Sequence, residues 1–172
     1  MDSGIRVNFG PQVSCVVLNW NGWRDTVDCL DALKGSAYPR LRLIVVDNGS
    51  TDETIGELNK ATDVKVISND SNTGFAHAAN QGMVAGKSEF VVLLNNDVIV
   101  TRGWLSRLRD ALTSREEMGL VGPVSNNVSG PQQIPVTYTS IEEVEGFSEA
   151  LARSNKGQLS KSDRLVGFCL MF

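Results

Sequence analysis

The sequence predicts an α/β fold built on a largely parallel sheet, and three observations predict it. Short runs rich in Val, Ile and Leu recur along the chain, separated by segments with helical spacing. The runs are continuously apolar rather than alternating, the pattern of strands covered on both faces. Strands and helices alternate, the order that lays parallel strands side by side through helical crossovers. The 172 residues suit one domain with a single sizeable core.

The first strand is expected at residues 13–18, after an N-terminal extension of residues 1–12. Trp23, Val27, Leu30 and Leu33 then share one helix face. A second strand spans 41–46, followed by Ser50 and, three residues on, Glu53, the signature of a capping box at a helix start. A third strand covers 64–67. Gly74 supplies a tight turn after it, Phe75, Ala79 and Met83 form a helix face, and Ala76, Ala78, Ala79 and Gly82 let that helix approach the sheet or a ligand closely. The fourth strand is 90–94, with Trp104, Leu105, Leu108, Ala111 and Leu112 as the next helix face, and a fifth strand is expected at 120–124. Residues 125–140 carry Asn126, Asn127, Gly130, Pro131 and Pro135 and read as a long loop. A helix with Ile141, Val144, Phe147 and Leu151 on one face follows, and 164–172 reads as a last strand. Its apolar ending, GFCLMF, lacks the polar stop usual at a chain end. Residues 13–172 are therefore expected to be one domain whose sheet is incomplete at its C-terminal end.

Composition narrows the partners. Net charge is −4 and pI about 5.0, with no basic run, which argues against nucleic acid. A small anionic ligand fits if a cation or backbone N–H groups offset its charge. No apolar run reaches the roughly 18 residues of a membrane span. The start, with Asp2, Arg6 and Asn8, lacks a signal-peptide core. A cytoplasmic protein is expected, with attachment to the inner membrane face through a partner or a further segment left open. An unfinished sheet edge also leaves a homodimer open. Cys15, Cys29 and Cys169 lie far apart in apolar settings and read as reduced, buried thiols.

Function is sought at the carboxyl ends of the strands, where open parallel sheets bind ligands. Four strands end in polar clusters: VVLNWNG (16–22), IVVDNGSTDET (44–54), VISNDSNTGFAHAANQG (66–82) and LLNNDV (93–98). In the second, Asn48-Gly49 resembles a hairpin signal, but the capping-box pair points to a strand–turn–helix junction. Asp47, a carboxylate ending a buried strand, either caps that turn or meets a ligand donor, since unpaired it is costly. His77, the one histidine, is more often a surface or internally satisfied residue than a ligand contact. Asn95, Asn96 and Asp97 read either as a β-turn or, through Asp97, as a ligand to a hard divalent cation completed by phosphate oxygens. No strand is followed by G-x-G-x-x-G, which disfavours a dinucleotide oxidoreductase.

In this order and spacing the four clusters resemble family 2 glycosyltransferases of the GT-A fold, a Rossmann-like sandwich, over about residues 13–172. The NND form is most similar to bacterial members that transfer rhamnose, galactofuranose or N-acetylglucosamine-type sugars. The resemblance implies an inverting transfer from a UDP- or dTDP-sugar to a saccharide or lipid-linked acceptor in cell-surface polysaccharide synthesis. It implies that Asn19, Trp20 and Asn21 line the nucleotide pocket, with Trp20 against the base, and that Asp47 accepts the N3–H of uracil or thymine. Asn72 and Gly74 would border the ribose and diphosphate. Asn96 and Asp97 would take the family's DXD position, with Asp97 binding Mn2+ or Mg2+. Two departures stand out. Asn95 and Asn96 stand where an acidic residue often precedes the metal-binding Asp, leaving one carboxylate fewer, and no candidate for the family's acidic catalytic base is found, so it is expected beyond Phe172. A nucleotide-sugar-binding module without turnover is the alternative.

Overall fold

The computed structural model describes residues 10–172; residues 1–9 of the expected extension lie outside it. The described chain runs β1 (Val13–Asn19), α1 (Trp23–Gly35), β2 (Leu41–Asp47), α2 (Thr54–Leu58), β3 (Val64–Ser68), α3 (Phe75–Gly86), β4 (Phe90–Asn95), α4 (Trp104–Leu112), a 3-10 turn (Gly130–Gln132), α5 (Ile141–Ser154) and β5 (Cys169–Met171). The sheet order is β3-β2-β1-β4-β5. The first four strands pair in parallel and β5 runs antiparallel to β4. This is the expected mostly parallel α/β sandwich.

The sheet separates two apolar layers, as the continuous Val/Ile/Leu runs require. On one face Val13, Cys15, Val17, Val45, Val92 and Leu94 pack against Leu30 and Leu33 of α1 and Leu105 and Leu108 of α4. On the other, Val16, Ile44, Val46 and Leu93 meet Ala78 and Ala79 of α3. The small residues of α3 are there because the helix sits close. A Cβ on Gly82 would lie 2.1 Å from Val16 Cγ1 and 3.1 Å from Val46 Cγ2. All three cysteines are free and buried.

Three expectations need correction. Residues 120–124 form no strand: Val121 alone bridges Met171, through backbone bonds of 2.9 and 2.8 Å. Gly122 and Pro123 follow at once, and proline has no N–H to extend a ladder. The strand expected over 164–172 is regular only at Cys169–Met171, with Phe172 still exchanging backbone bonds with Val91. Ser50 and Glu53 make no capping box. Glu53 stands at the N-cap of α2 without a side-chain bond, the Thr54 N–H is taken by Asp52 Oδ1 at 3.1 Å, and Ser50 is drawn into the strand-end network described below. Helix α5 forms where expected, but none of its residues is buried and Ile141 is 59% exposed.

Candidate functional site

The strand order reverses at β1, with β2 and β3 on one side and β4 and β5 on the other. The crevice past the strand ends at such a reversal is the usual ligand position in open α/β sheets. Here the ends of β1, β2 and β4 bring Asn19, Asp47 and Asn96 into one hydrogen-bonded group.

Asp47 is fully buried and both its oxygens are engaged from within the chain. Oδ2 accepts the Ser50 N–H at 3.0 Å, while Oδ1 accepts Asn19 Nδ2 at 2.7 Å and the Ser50 hydroxyl. Ser50 Oγ accepts the Asn21 N–H at 2.7 Å, and Asn21 Oδ1 accepts the Thr51 N–H at 2.9 Å. Asn21 holds φ at 58°, a left-handed position that Asn tolerates, and so turns the chain from β1 into α1. Asn19, 2% exposed, takes the Thr26 hydroxyl (2.6 Å) and Asn96 Nδ2 (3.0 Å) on its Oδ1. It is thus a buried hub beneath the cleft.

A second group ties the β2 and β3 ends. Asn48 Nδ2 donates to Asn72 Oδ1 at 2.9 Å, and Asn48 Oδ1 accepts the Thr73 N–H at 3.0 Å and Asn69 Nδ2 at 3.1 Å. Asn69 and Gln81 exchange two amide bonds of 2.8 Å. Asn72 Oδ1 also accepts the Gly74 N–H at 2.9 Å. Gly74, at φ 85° and ψ 160°, adopts a backbone open mainly to glycine as it starts α3. Asn48, Asn69, Gln81 and Thr26 escaped the sequence reading. Asn48, Asn69 and Gln81 did lie within the polar strand-end clusters, whereas Thr26 carried no such signal.

Other expected residues stand apart from these networks. Trp20 is 59% exposed, and His77 is exposed on α3. Asp97 is exposed, and its carboxylate enters no hydrogen bond or ion pair among the described residues. Asn96 is half-buried. Its Nδ2 is spent on Asn19 and, at 3.1 Å, on Thr26 Oγ1, while its Oδ1 accepts nothing from the described chain. Beneath them Cys29 donates weakly to the Asn95 carbonyl, its thiol pushed up to about 12 by burial; the Val98 N–H works against the shift and the Asp97 charge adds to it.

No three His, Cys, Asp or Glu side chains gather as a metal cage among the described residues. At the end of β4 the Asp97 carboxylate and the Asn96 carbonyl are free of hydrogen bonds among the described residues, as is the side chain of Asn95, the last residue of the strand. Two hard oxygen donors fit a divalent cation of the kind that takes much of its shell from water and phosphate.

The α/β sheet, with its reversal at β1 and antiparallel last strand, is that of the GT-A glycosyltransferases. A sequence profile described as "Glycosyl transferase family 2" matches residues 14–168, and the chain belongs to that family. It is 27% identical over 119 residues to "Glycosyltransferase GlyG" of Streptococcus pneumoniae, covering 66% of this chain and 39% of that protein. It is 29% identical over 91 residues to a "Poly-beta-1,6-N-acetyl-D-glucosamine synthase" of Staphylococcus epidermidis, covering 51% and 22%. Mannosyltransferase PcManGT from Pyrobaculum calidifontis, solved with GDP-Man and Mn2+, superposes with a TM-score of 0.62 at 26% identity, over 66% of this chain and 35% of that one. The chain therefore spans well under half the length of these relatives. No helix among the described residues is long and apolar enough to cross a membrane.

Proposed function

We propose that this chain is the donor-binding part of a glycosyltransferase that takes a UDP- or dTDP-sugar and transfers the sugar, with inversion, to a saccharide or lipid-linked acceptor in bacterial cell-surface polysaccharide synthesis. The observation that carries the reading is the unengaged oxygen pair of Asn96 and Asp97 at the sheet reversal, beside the ends of β1 and β2, where Asn19, Asp47 and Asn48 are satisfied from within the chain. Asp97, with Asn96 beside it, would hold Mn2+ or Mg2+. When bound, that cation offsets charge on the departing nucleoside diphosphate.

The chain's own residues would do the rest. Trp20, already exposed, offers a face for the base. Asn21, Asn72 and Gly74 border the cleft with backbone that the two networks hold in place. Asp47 Oδ2 takes one bond from the chain and so keeps capacity for the N3–H of the base. Because Asp47 is fully buried, that contact requires the turn after β2 to yield. The base that deprotonates the acceptor, and most of the acceptor site, would be supplied by further chain, as the greater length of the relatives allows.

Titration calorimetry with UDP and dTDP, with and without Mn2+, tests the reading. At least one nucleotide is expected to bind, about tenfold or more tightly with the metal, and Asp97→Ala is expected to remove that gain. Absence of binding with Mn2+ present, or an Asp97→Ala variant indistinguishable from wild type, refutes it.

A further inference from the structure

We propose that Thr26, on the first turn of α1 and part of none of the four strand-end clusters, is a positioning residue for the donor site. With Asn19 it turns the Asn96 side chain so that the carbonyl oxygen, not the NH2 group, is offered to a cation–diphosphate ligand. This rests on the donor-binding reading above and adds to it a residue and a direction.

The inference follows from donor and acceptor counting. A carboxylate only accepts, so the Asn19 atom 2.7 Å from Asp47 Oδ1 must be the NH2 group. Asn19 therefore presents its carbonyl on the other side, where Thr26 Oγ1 lies 2.6 Å away and an Asn96 side-chain atom 3.0 Å away. Thr26 has one hydroxyl proton. The alternative acceptor, the Gly22 carbonyl, is at 3.2 Å, so the shorter contact to Asn19 takes it. Only lone pairs of Thr26 then face Asn96, at 3.1 Å. Asn96 sees two acceptors, Asn19 Oδ1 and Thr26 Oγ1, and can satisfy both only with its two amide protons. Its own Oδ1 is thereby turned away from both and is left without a partner in the described chain. The polarity set by one buried carboxylate is passed through two side chains to the edge of the cleft. Thr26 and Asn19 are buried, so the inner links of the relay are shielded from competing water, and only its outer end at Asn96 is half-buried.

Thr26→Val keeps the shape and removes the relay. Calorimetry with UDP or dTDP, whichever the chain binds, is expected to show the Mn2+-dependent gain in affinity falling about tenfold, the scale of losing a group that orients a metal ligand. Metal-free nucleotide affinity is expected to stay within about twofold. Thr26→Ser should restore the gain, and Asn96→Ala should lose it as Thr26→Val does. The double variant should be no worse than Asn96→Ala alone, because Thr26 acts through Asn96. Equal losses with and without metal, additive losses in the double variant, or a Thr26→Ser as poor as Thr26→Val each overturn the proposal. Wild type that never gains affinity from Mn2+ sinks the donor reading and the proposal together, whereas a wild-type gain untouched by Thr26→Val sinks the proposal alone. A measurement on the unaltered chain serves if Thr26→Val does not fold. The Asn96 side-chain amide resonances, assigned by Asn96→Ala, should exchange with deuterium far more slowly than a free amide, and exchange at the free rate overturns the assignment.

Discussion

Replacing Asp47 with Asn changes almost no volume and tests the buried network directly. Three donors converge on this carboxylate: the Ser50 N–H and hydroxyl, and Asn19 Nδ2. Asparagine offers one acceptor oxygen and one NH2 group, so in either rotamer at least one of the three donors meets another donor. A hydrogen bond to a charged group contributes about 1.5–3 kcal/mol, and a buried donor left unpaired costs about 1–3 kcal/mol. Taking about 3 kcal/mol as the sum, a chain of this length should melt roughly 6–12 °C lower. Asp47→Ala strands all three donors and should melt lower still. Thermal unfolding followed by circular dichroism, without nucleotide, gives both values, and urea titration gives the free energies. A shift of under about 2 °C for Asp47→Asn, or a smaller loss for alanine than for asparagine, would falsify the counting.

Three further outcomes are expected. Gly82→Ala drives a methyl group to within 2.1 Å of Val16 Cγ1 and should destabilise by about 1–3 kcal/mol; urea unfolding of Gly82→Ala with and without Val16→Ala checks this, since trimming Val16 should recover part of the loss. Trp20→Ala should weaken nucleotide binding about tenfold, the scale of one stacked base, yet leave the melting temperature within about 1 °C because the side chain is 59% exposed; a large melting shift would make Trp20 a packing residue instead. Burial raises the Cys29 thiol from 9.0 to about 12, so the fold favours the neutral form. Its contribution to stability is complete below pH 9 and is lost as pH rises through 12; urea unfolding from pH 7 to 11 should show the decline, shallower in Cys29→Ala.

Much of the fold was legible because buried parallel strands write themselves as uninterrupted Val and Ile. β1, β2 and β4 lie within a residue of their expected limits. What failed turned on competition for the same backbone and hydroxyl partners. Residues 120–124 have strand-like composition, but Gly122 and Pro123 limit the pairing, and only Val121 reaches a neighbour. Ser50 and Glu53 have capping-box spacing, yet the carboxylate three residues before Ser50 is the stronger acceptor for its hydroxyl and amide, and local capping lost. At the site, the polar strand ends were readable as a set. Their division into buried wiring (Asn19, Asp47, Asn48) and unengaged groups (Trp20, Asp97) was not, because it depends on which side chains meet across β1, β2 and β4. Thr26 was invisible for the same reason: in sequence it is one polar residue in an amphipathic helix, and only folding sets it beside Asn19 and Asn96.

The side-chain ties on the cleft loops have a consequence for the timing of order. The backbone amides of Asn21, Ser50, Thr51, Thr73 and Gly74 lie outside the regular strands and helices, yet each is held by a side-chain oxygen of another residue. Their conformational entropy is surrendered when the chain folds, not when a ligand arrives, so binding gives up little motion in these segments. Hydrogen–deuterium exchange would show this as loop amides protected almost as well as the adjoining strand ends before any nucleotide is added; on binding, Thr73 and Gly74 should slow little further, while Ser50 and Thr51 report the yielding of the turn after β2.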